Sequence, residues 1–250
     1  MVKAAGYRPP AMSGGINELL SEQLCELVAL VRRYSSGEGI HPSAIEGVQC
    51  IRLSTPQALL PTVYRPSVCV IVQGTKQVLL KDEVYRYAPS QFLAVSVDLP
   101  LIGQVLQASA EAPYLCLAID IDCRQVADLI AHAHVPARPR GSPGRGIFVG
   151  DLDEATLETV LRLARLLDTP RDIPVLAPLV SRELHFRLLS SPHGAALAQA
   201  ALVGSATQRI AQAIQRITAH LAEPMRIDEL AALASMSRSA FHQQFKAVTA

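Results

Sequence analysis

Apolar positions recur along this chain with more than one period. In "INELLSEQLCELVALVRRY" (16–34), Ile16, Leu19, Leu20, Leu24, Leu27, Val28 and Val31 fall at helical spacing, so one face is apolar. "SSGEG" ends that pattern. From about 45 to 122 the texture changes to short runs rich in Val, Ile, Leu and Tyr: "VQCIRLS", "SVCVIVQG", "KQVLL", "EVYRY", "QFLAVSV", "IGQVLQAS" and "YLCLAIDI". Prolines 56, 61, 66, 89, 100 and 113, Gly74 and Lys81-Asp82 punctuate them. Short strands at near-regular spacing predict an antiparallel barrel or sandwich. "QVLLKDEVYRY" predicts a hairpin turning at Lys81-Asp82, with Leu79 opposite Val84 and Val78 opposite Tyr85.

After Ile121 the helical period returns. "CRQVADLIAHAH" is one helix, and 136–146, "PARPRGSPGRG", is a loop. "DEATLETVLRLARLLDTP" aligns Leu157, Val160, Leu161, Ala164 and Leu167 on one face. "IPVLAPLVSRELHFRLLSSP" follows, with Pro174 and Pro178 near its start, where proline is tolerated. "ATQRIAQAIQRITAHLAEP" carries Ile210, Ile214, Ile217 and Leu221 on one stripe and stops at Pro224. "RIDELAALA" is a compact helix, "SM" a tight turn, and Ser237 the N-cap of a last helix. No internal repeat is visible. The chain thus reads as an N-terminal arm and helix (1–39), a strand-rich domain (40–122), a helical region (123–204) and a terminal three-helix unit (205–250).

Composition narrows the classes. At 250 residues two domains are expected, and half the residues are hydrophobic, ample for a core. The net charge of +1 means that any basic function must be local. No uncharged apolar run reaches the ~18–20 residues of a membrane span. The longest candidates, near "YAPSQFLAVSV" and "LPLIGQVLQASA", are strand-like and separated by Asp98. The start, "MVKAAGYRPPAMSGG", lacks the apolar stretch of a secretory signal. Five spaced cysteines without a CxxC pair fit a reduced, cytoplasmic setting.

The closing helix carries the clearest chemistry. Phe241, Phe245 and Val248 share a face, with Ala240 beside it, suited to pack on Leu230, Leu233 and Ile217. The opposite face presents Arg238, Ser239, His242, Gln243 and Lys246; Arg238, His242 and Lys246 repeat every four residues. No acidic residue follows Glu229. Arg can fork onto guanine, Gln can pair with adenine, and Ser and Lys can reach phosphate, so this face suits a DNA major groove. A solvated polar face on a packing helix accounts for the same spacing.

"RIDELAALASMSRSAFHQQFKAVTA" resembles the first helix-turn-helix of the AraC/XylS family of bacterial transcription regulators. The family pattern is met by Leu230-Ala231, by Met236-Ser237 and by Ser237 through Lys246. "GIHPSAIEGV", "PSVCVIVQGTKQVLL", "EVYRYAPSQFLAVSVDLPLIGQV" and "PRDIPVLAPLVSRELHFRLL" resemble one branch of that family, with its own type of N-terminal domain. The resemblance spans about residues 20–250. It implies an α+β chain: a cupin-like antiparallel β-barrel at 40–122 that senses a small-molecule effector, helices at 123–204 that join a homodimer, a DNA reader, and RNA polymerase as a partner. Family members carry two helix-turn-helix units joined by a long helix, and this sequence stops just after the first recognition helix. It therefore reads as a truncated or shortened form whose own DNA binding is weak and salt-sensitive.

Enzyme chemistry finds little support. A metal-dependent cupin enzyme needs several histidines on its strands, and none lies between Pro42 and Ala131. His132 and His134 on a helix point to different faces. There is no GxSxG elbow and no GK[ST] phosphate loop. No catalytic, metal or cofactor site is expected. Cys69, within "PSVCVIVQG", is a core residue on one reading and an electrophile- or oxidant-sensing thiol inside a ligand pocket on the other; some regulators resembling this branch answer to aldehydes. His41 either closes over a ligand or stabilises the turn before Pro42. The competing class is a small-molecule-binding and dimerisation module with no DNA binding of its own.

Overall fold

The structure, a computed structural model, describes residues 14–132, 146–202 and 205–249, with the side chains of 14–19 left out. Among the described residues ten strands form two antiparallel sheets. The larger holds β1 (Gly39–Pro42), β2 (Val48–Leu53), β9 (Tyr114–Asp120), β4 (Ser67–Gln73), β7 (Gln91–Val95) and β10 (Ile147–Asp151), in that spatial order. The smaller holds β3 (Leu60–Tyr64), β8 (Leu99–Gln107), β5 (Thr75–Leu80) and β6 (Glu83–Tyr87). The fold class is thus α+β, but the expected closed barrel is not formed. Among the described residues no ladder joins the two sheets, which share one apolar core between them as a sandwich.

The sequence pattern explains the layering. β4, "SVCVIVQ", is buried along almost its whole length, as a strand covered on both faces must be. β8, "LPLIGQVLQ", alternates buried and exposed, as a strand with one wet face does. Helices α1 (Gly14–Arg33), α2 (Cys123–His132), α3 (Glu154–Arg165), α4 (Ile173–Ser190) and α5 (Gly194–Ala201) cover the outer face of the larger sheet. Leu27 and Val31 of α1 join Val70 and Leu117 of the sheet and Leu157, Leu161 and Leu184 of α3 and α4 in one apolar cluster. A second cluster fills the space between the sheets and extends under α6 (Ala206–Ala219), α7 (Ile227–Leu233) and α8 (Arg238–Thr249).

The hairpin register is as expected: Leu79 pairs with Val84 and Val78 with Tyr85, with Lys81 in the left-handed region (φ 53°). All seven expected strands form. β1, β3, β10 and α5 were not foreseen; β10 lies within the stretch read as helical and pairs with β7. α4 starts at Ile173 as expected and Pro174 falls in its first turn, but Pro178 lies inside the helix rather than at its start. The stripe assigned to α6 fails at its end: the helix stops at Ala219 and Leu221 is 71 % exposed. Leu233 likewise does not pack under α8 and is 48 % exposed. The loop 136–145 and His134 lie outside the described residues.

Candidate functional site

Register builds the first site. Cys69 stands opposite Ala118 and Cys116 opposite Ile71 on paired strands β4 and β9, so the two cysteines are diagonal neighbours facing the smaller sheet. Both are buried. Opposite them β5 supplies Lys76, β3 Tyr64 and β6 Tyr87, while β9 adds Tyr114. Lys76 Nζ lies 5.3 Å from the Tyr64 ring centroid and 5.8 Å from that of Tyr114, a cation between two aromatic faces.

Electrostatics divides the two thiols. Cys116 within hydrogen-bonding reach, the Lys76 charge and Ser67 together bring Cys69 down to about 7, against burial and Asp120, which act to raise it. Sharing with Cys69, together with burial, drives Cys116 far upward. Burial acts to lower Lys76, but the Tyr64 phenol and both thiols hold it above its ordinary value. Burial pushes Tyr87 and Tyr114 strongly upward. Their hydroxyls are close to each other, yet each is buried without a well-formed hydrogen bond. Buried hydroxyls without a well-formed bond cost stability, though that of Tyr114 also lies within reach of the Cys116 thiol.

His41 is not part of this cluster. It lies on edge strand β1, with β2 and β9 between it and β4, and its Nε2 is 2.8 Å from the Gly37 carbonyl. Lys76 and the three tyrosines went unnoticed in the sequence. For Lys76 and Tyr87 the signal was alternation within "TKQVLL" and "EVYRY", which places every second side chain on the inner face; Tyr64 ends β3 and Tyr114 begins β9. Among the described residues no group of three His, Cys, Asp or Glu side chains could hold a metal ion. His132 is exposed and contacts its neighbour Asp128 at 3.0 Å.

The second site is the outer face of α8. Ser235 takes a positive φ (52°) in the turn after α7. Ser237 Oγ accepts from the Ala240 N–H at 3.3 Å, so the expected cap starts the helix. Phe241 and Val248 are buried against Leu230 and Ile214, and Phe245 packs on Phe241 with centroids 5.5 Å apart. Arg238, Ser239, His242, Gln243 and Lys246 are all exposed together on the remaining face. Arg238 Nη1 lies 4.0 Å from Asp228 Oδ1 of α7.

The described residues thus combine a two-sheet domain with terminal helices that pack on it. The chain belongs to the AraC-type transcriptional regulators: the N-terminal domain of that family matches residues 44–196. ToxT from Vibrio cholerae O395, solved bound to (E)-4-(8-methylnaphthalen-1-yl)but-3-enoic acid, superposes with a TM-score of 0.57 at 10 % identity, over 80 % of this chain and 75 % of its own. That likeness is one of fold. The AraC-like transcriptional activator CuxR aligns at 11 % identity over 80 % of this chain and 70 % of its own, but its TM-score of 0.33 carries no argument. No curated protein matches the sequence. Among the described residues no helix is long and apolar enough to cross a membrane.

Proposed function

We propose that this chain is a ligand-responsive, DNA-binding transcription regulator acting in the cytoplasm, and not an enzyme. The 40–122 region takes a small-molecule effector between its sheets. The helices of 123–204 join two copies, and 205–250 form a helix-turn-helix whose α8 enters the major groove. Arg238, His242 and Gln243 meet base edges; Ser239 and Lys246 meet phosphates. RNA polymerase is the partner at the promoter. The observation that carries this reading is a single apolar cluster running from Cys69 and Tyr114, through Val97 and Leu99, to Ile214, Phe241 and Val248 under the reader face. A ligand that favours one packing of that cluster biases the reader. The small organic acid held by ToxT supports an organic effector here. The dimer surface is α4, where Val175 and Leu179 are 67 % and 61 % exposed beside Leu176 and Phe186.

The test is a fluorescence-anisotropy titration against the chain's own upstream DNA at two salt concentrations. Arg238→Ala should weaken specific binding by about 1–3 kcal/mol, and salt should weaken both proteins. Equal affinity on every sequence, or in wild type and variant, rejects the base-reading role. The second reading, a sensing and dimerisation module without DNA binding, is favoured by the approach of Asp228 to Arg238, which answers part of that charge within the chain.

A further inference from the structure

A cavity of about 600 Å³ lies away from both sites above, on the outer side of the larger sheet. Its volume falls within the ~300–1,000 Å³ of small-molecule sites. Its walls are the turn between β1 and β2, the end of β9, the start of α2 and one stripe of α4. Ile173, Ala177, Ser181 and His185 recur every four residues, so α4 turns one face to the cavity. Val175 and Leu179 stand on its opposite, exposed side. The chain itself fixes the turn. The Val48 N–H donates to the Ile45 carbonyl at 3.1 Å, and the Asp120 N–H donates to the Gly47 carbonyl at 2.7 Å. Gly47 takes a positive φ (75°), and a Cβ there would stand 3.4 Å from Asp120 Oδ2. The glycine thus lets the turn close against the Asp120 carboxylate.

The polar groups on these walls are mostly acceptors. No Lys or Arg is among the described residues that line the cavity, and burial keeps His185 neutral near pH 7. Pro178 has no N–H, so the Pro174 carbonyl falls outside the i to i−4 ladder of α4. Asp122 is spent on α2, where it accepts the Arg124 and Gln125 N–H groups at 2.8 and 3.2 Å. Asp120 and Glu46 are not spent: among the described residues no side-chain hydrogen bond or ion pair reaches either carboxylate. Burial raises Asp120, with the more distant Arg65 acting the other way. A carboxylate drawn partly out of water gains from an answering cation. The starts of α2 and α4 border the cavity, but Asp122 and Asp172 stand at them and answer their partial positive charge.

We propose that this cavity binds a small organic ammonium ion, its charged head at Asp120 and Glu46 and its apolar body against Ile45, Ile173 and Ala177. The site is separate from the space between the sheets and independent of the effector reading above. A bare metal ion does not fit, because among the described residues no three His, Cys, Asp or Glu side chains are grouped to hold one. An anion would meet carboxylates and no cationic side chain. A neutral apolar molecule would cover the carboxylates without answering them. Because α4 forms one wall, an occupant braces the helix whose other side carries Val175 and Leu179.

The experiment is a calorimetric titration of the whole chain with hexylamine, 1-hexanol and hexanoate near neutral pH, where only the first is a cation. Hexylammonium should bind saturably and about tenfold more tightly than hexanol, and hexanoate should not bind. Asp120→Asn should weaken hexylammonium by about tenfold and leave hexanol unchanged. Glu154→Gln, the same change of net charge on α3 and away from the cavity walls, should have no effect. Ser181→Leu, which fills the cavity, should weaken hexylammonium and hexanol alike. Thermal melting shows that each variant is folded; where Ser181→Leu does not fold, the comparison of Asp120→Asn with Glu154→Gln decides. Hexylammonium that binds no more tightly than hexanol, wild-type affinity in Asp120→Asn, or an equal loss in Glu154→Gln overturns the proposal.

Discussion

The backbone N–H of Gly146 donates to the Val248 carbonyl at 3.3 Å. This bond ties the residue before β10 to the last turn of α8, and Gly146 also holds Ser96 through its own carbonyl at 2.8 Å. The larger sheet and the closing helix therefore meet at a glycine. The reason is space: a Cβ on Gly146 would lie 2.5 Å from Val97 Cγ2 and 3.6 Å from Val248 Cγ1. Valine is stiff at χ1 and cannot swing aside cheaply. Gly146→Ala is expected to loosen the docking of α8 and to destabilise the chain by about 1–3 kcal/mol. Thermal melting and limited proteolysis between sheet and helix check it; an unchanged melt and cleavage pattern would show that the contact has slack.

Val175 and Leu179 project from one side of α4. Replacing both by Glu should turn a dimer into a monomer in sedimentation, with monomer stability changed by no more than about 0.5 kcal/mol, because neither side chain is in the core. A wild-type chain that sediments as a monomer at the same concentration rejects the interface.

His185 is a buried residue that depends on being neutral. Its Nε2 accepts the Asp122 backbone N–H at 3.3 Å, while Nδ1 faces Gln125 Oε1 at 3.1 Å. Burial lowers its affinity for a proton, against the pull of Asp122 and of the Asp120 backbone. The unfolded chain takes up a proton near the ordinary value of 6.5 and the folded chain only at lower pH. The contribution of His185 is therefore full above that value and declines as pH falls below it. The drop in melting temperature from pH 7 to pH 5 should be smaller in His185→Gln than in wild type. An equal drop assigns the acid sensitivity to other groups.

Tyr87 loses no well-formed hydrogen bond when its hydroxyl is removed. Tyr87→Phe should leave the unliganded chain as stable as wild type or up to about 1 kcal/mol more stable, since a buried unsatisfied group disappears. A clear loss of stability in a denaturant titration would mean that the hydroxyl is satisfied in the folded state.

The elements that local chemistry fixes were legible in the sequence. The Leu79–Val84 pairing follows from a two-residue turn and the period of two, both contained within eleven residues. The cap at Ser237 and the buried pair Phe241 and Val248 follow from spacing on a single helix. The exposed set from Arg238 to Lys246 was equally readable, because what remains of a helix after its apolar stripe is assigned is its outer face.

Tertiary structure decided the rest. Whether the strands close into a barrel or stop as two sheets depends on pairings between distant segments, which no local pattern encodes; hence β10 went unread and the barrel did not close. Leu221 and Leu233 were assigned inward by period alone, but the helix ending at Ala219 and the turn at Ser235 leave them in water. The cluster around Cys69 was beyond sequence for the same reason. Lys76, Tyr64, Tyr87 and Tyr114 come from four strands of two sheets. The desolvation and charge that distinguish Cys69 from Cys116 exist only once those sheets face each other. The sequence by itself determined the pairings within a hairpin and the apolar stripe within a helix, because both are local, and the packing of the two sheets decided which distant side chains meet.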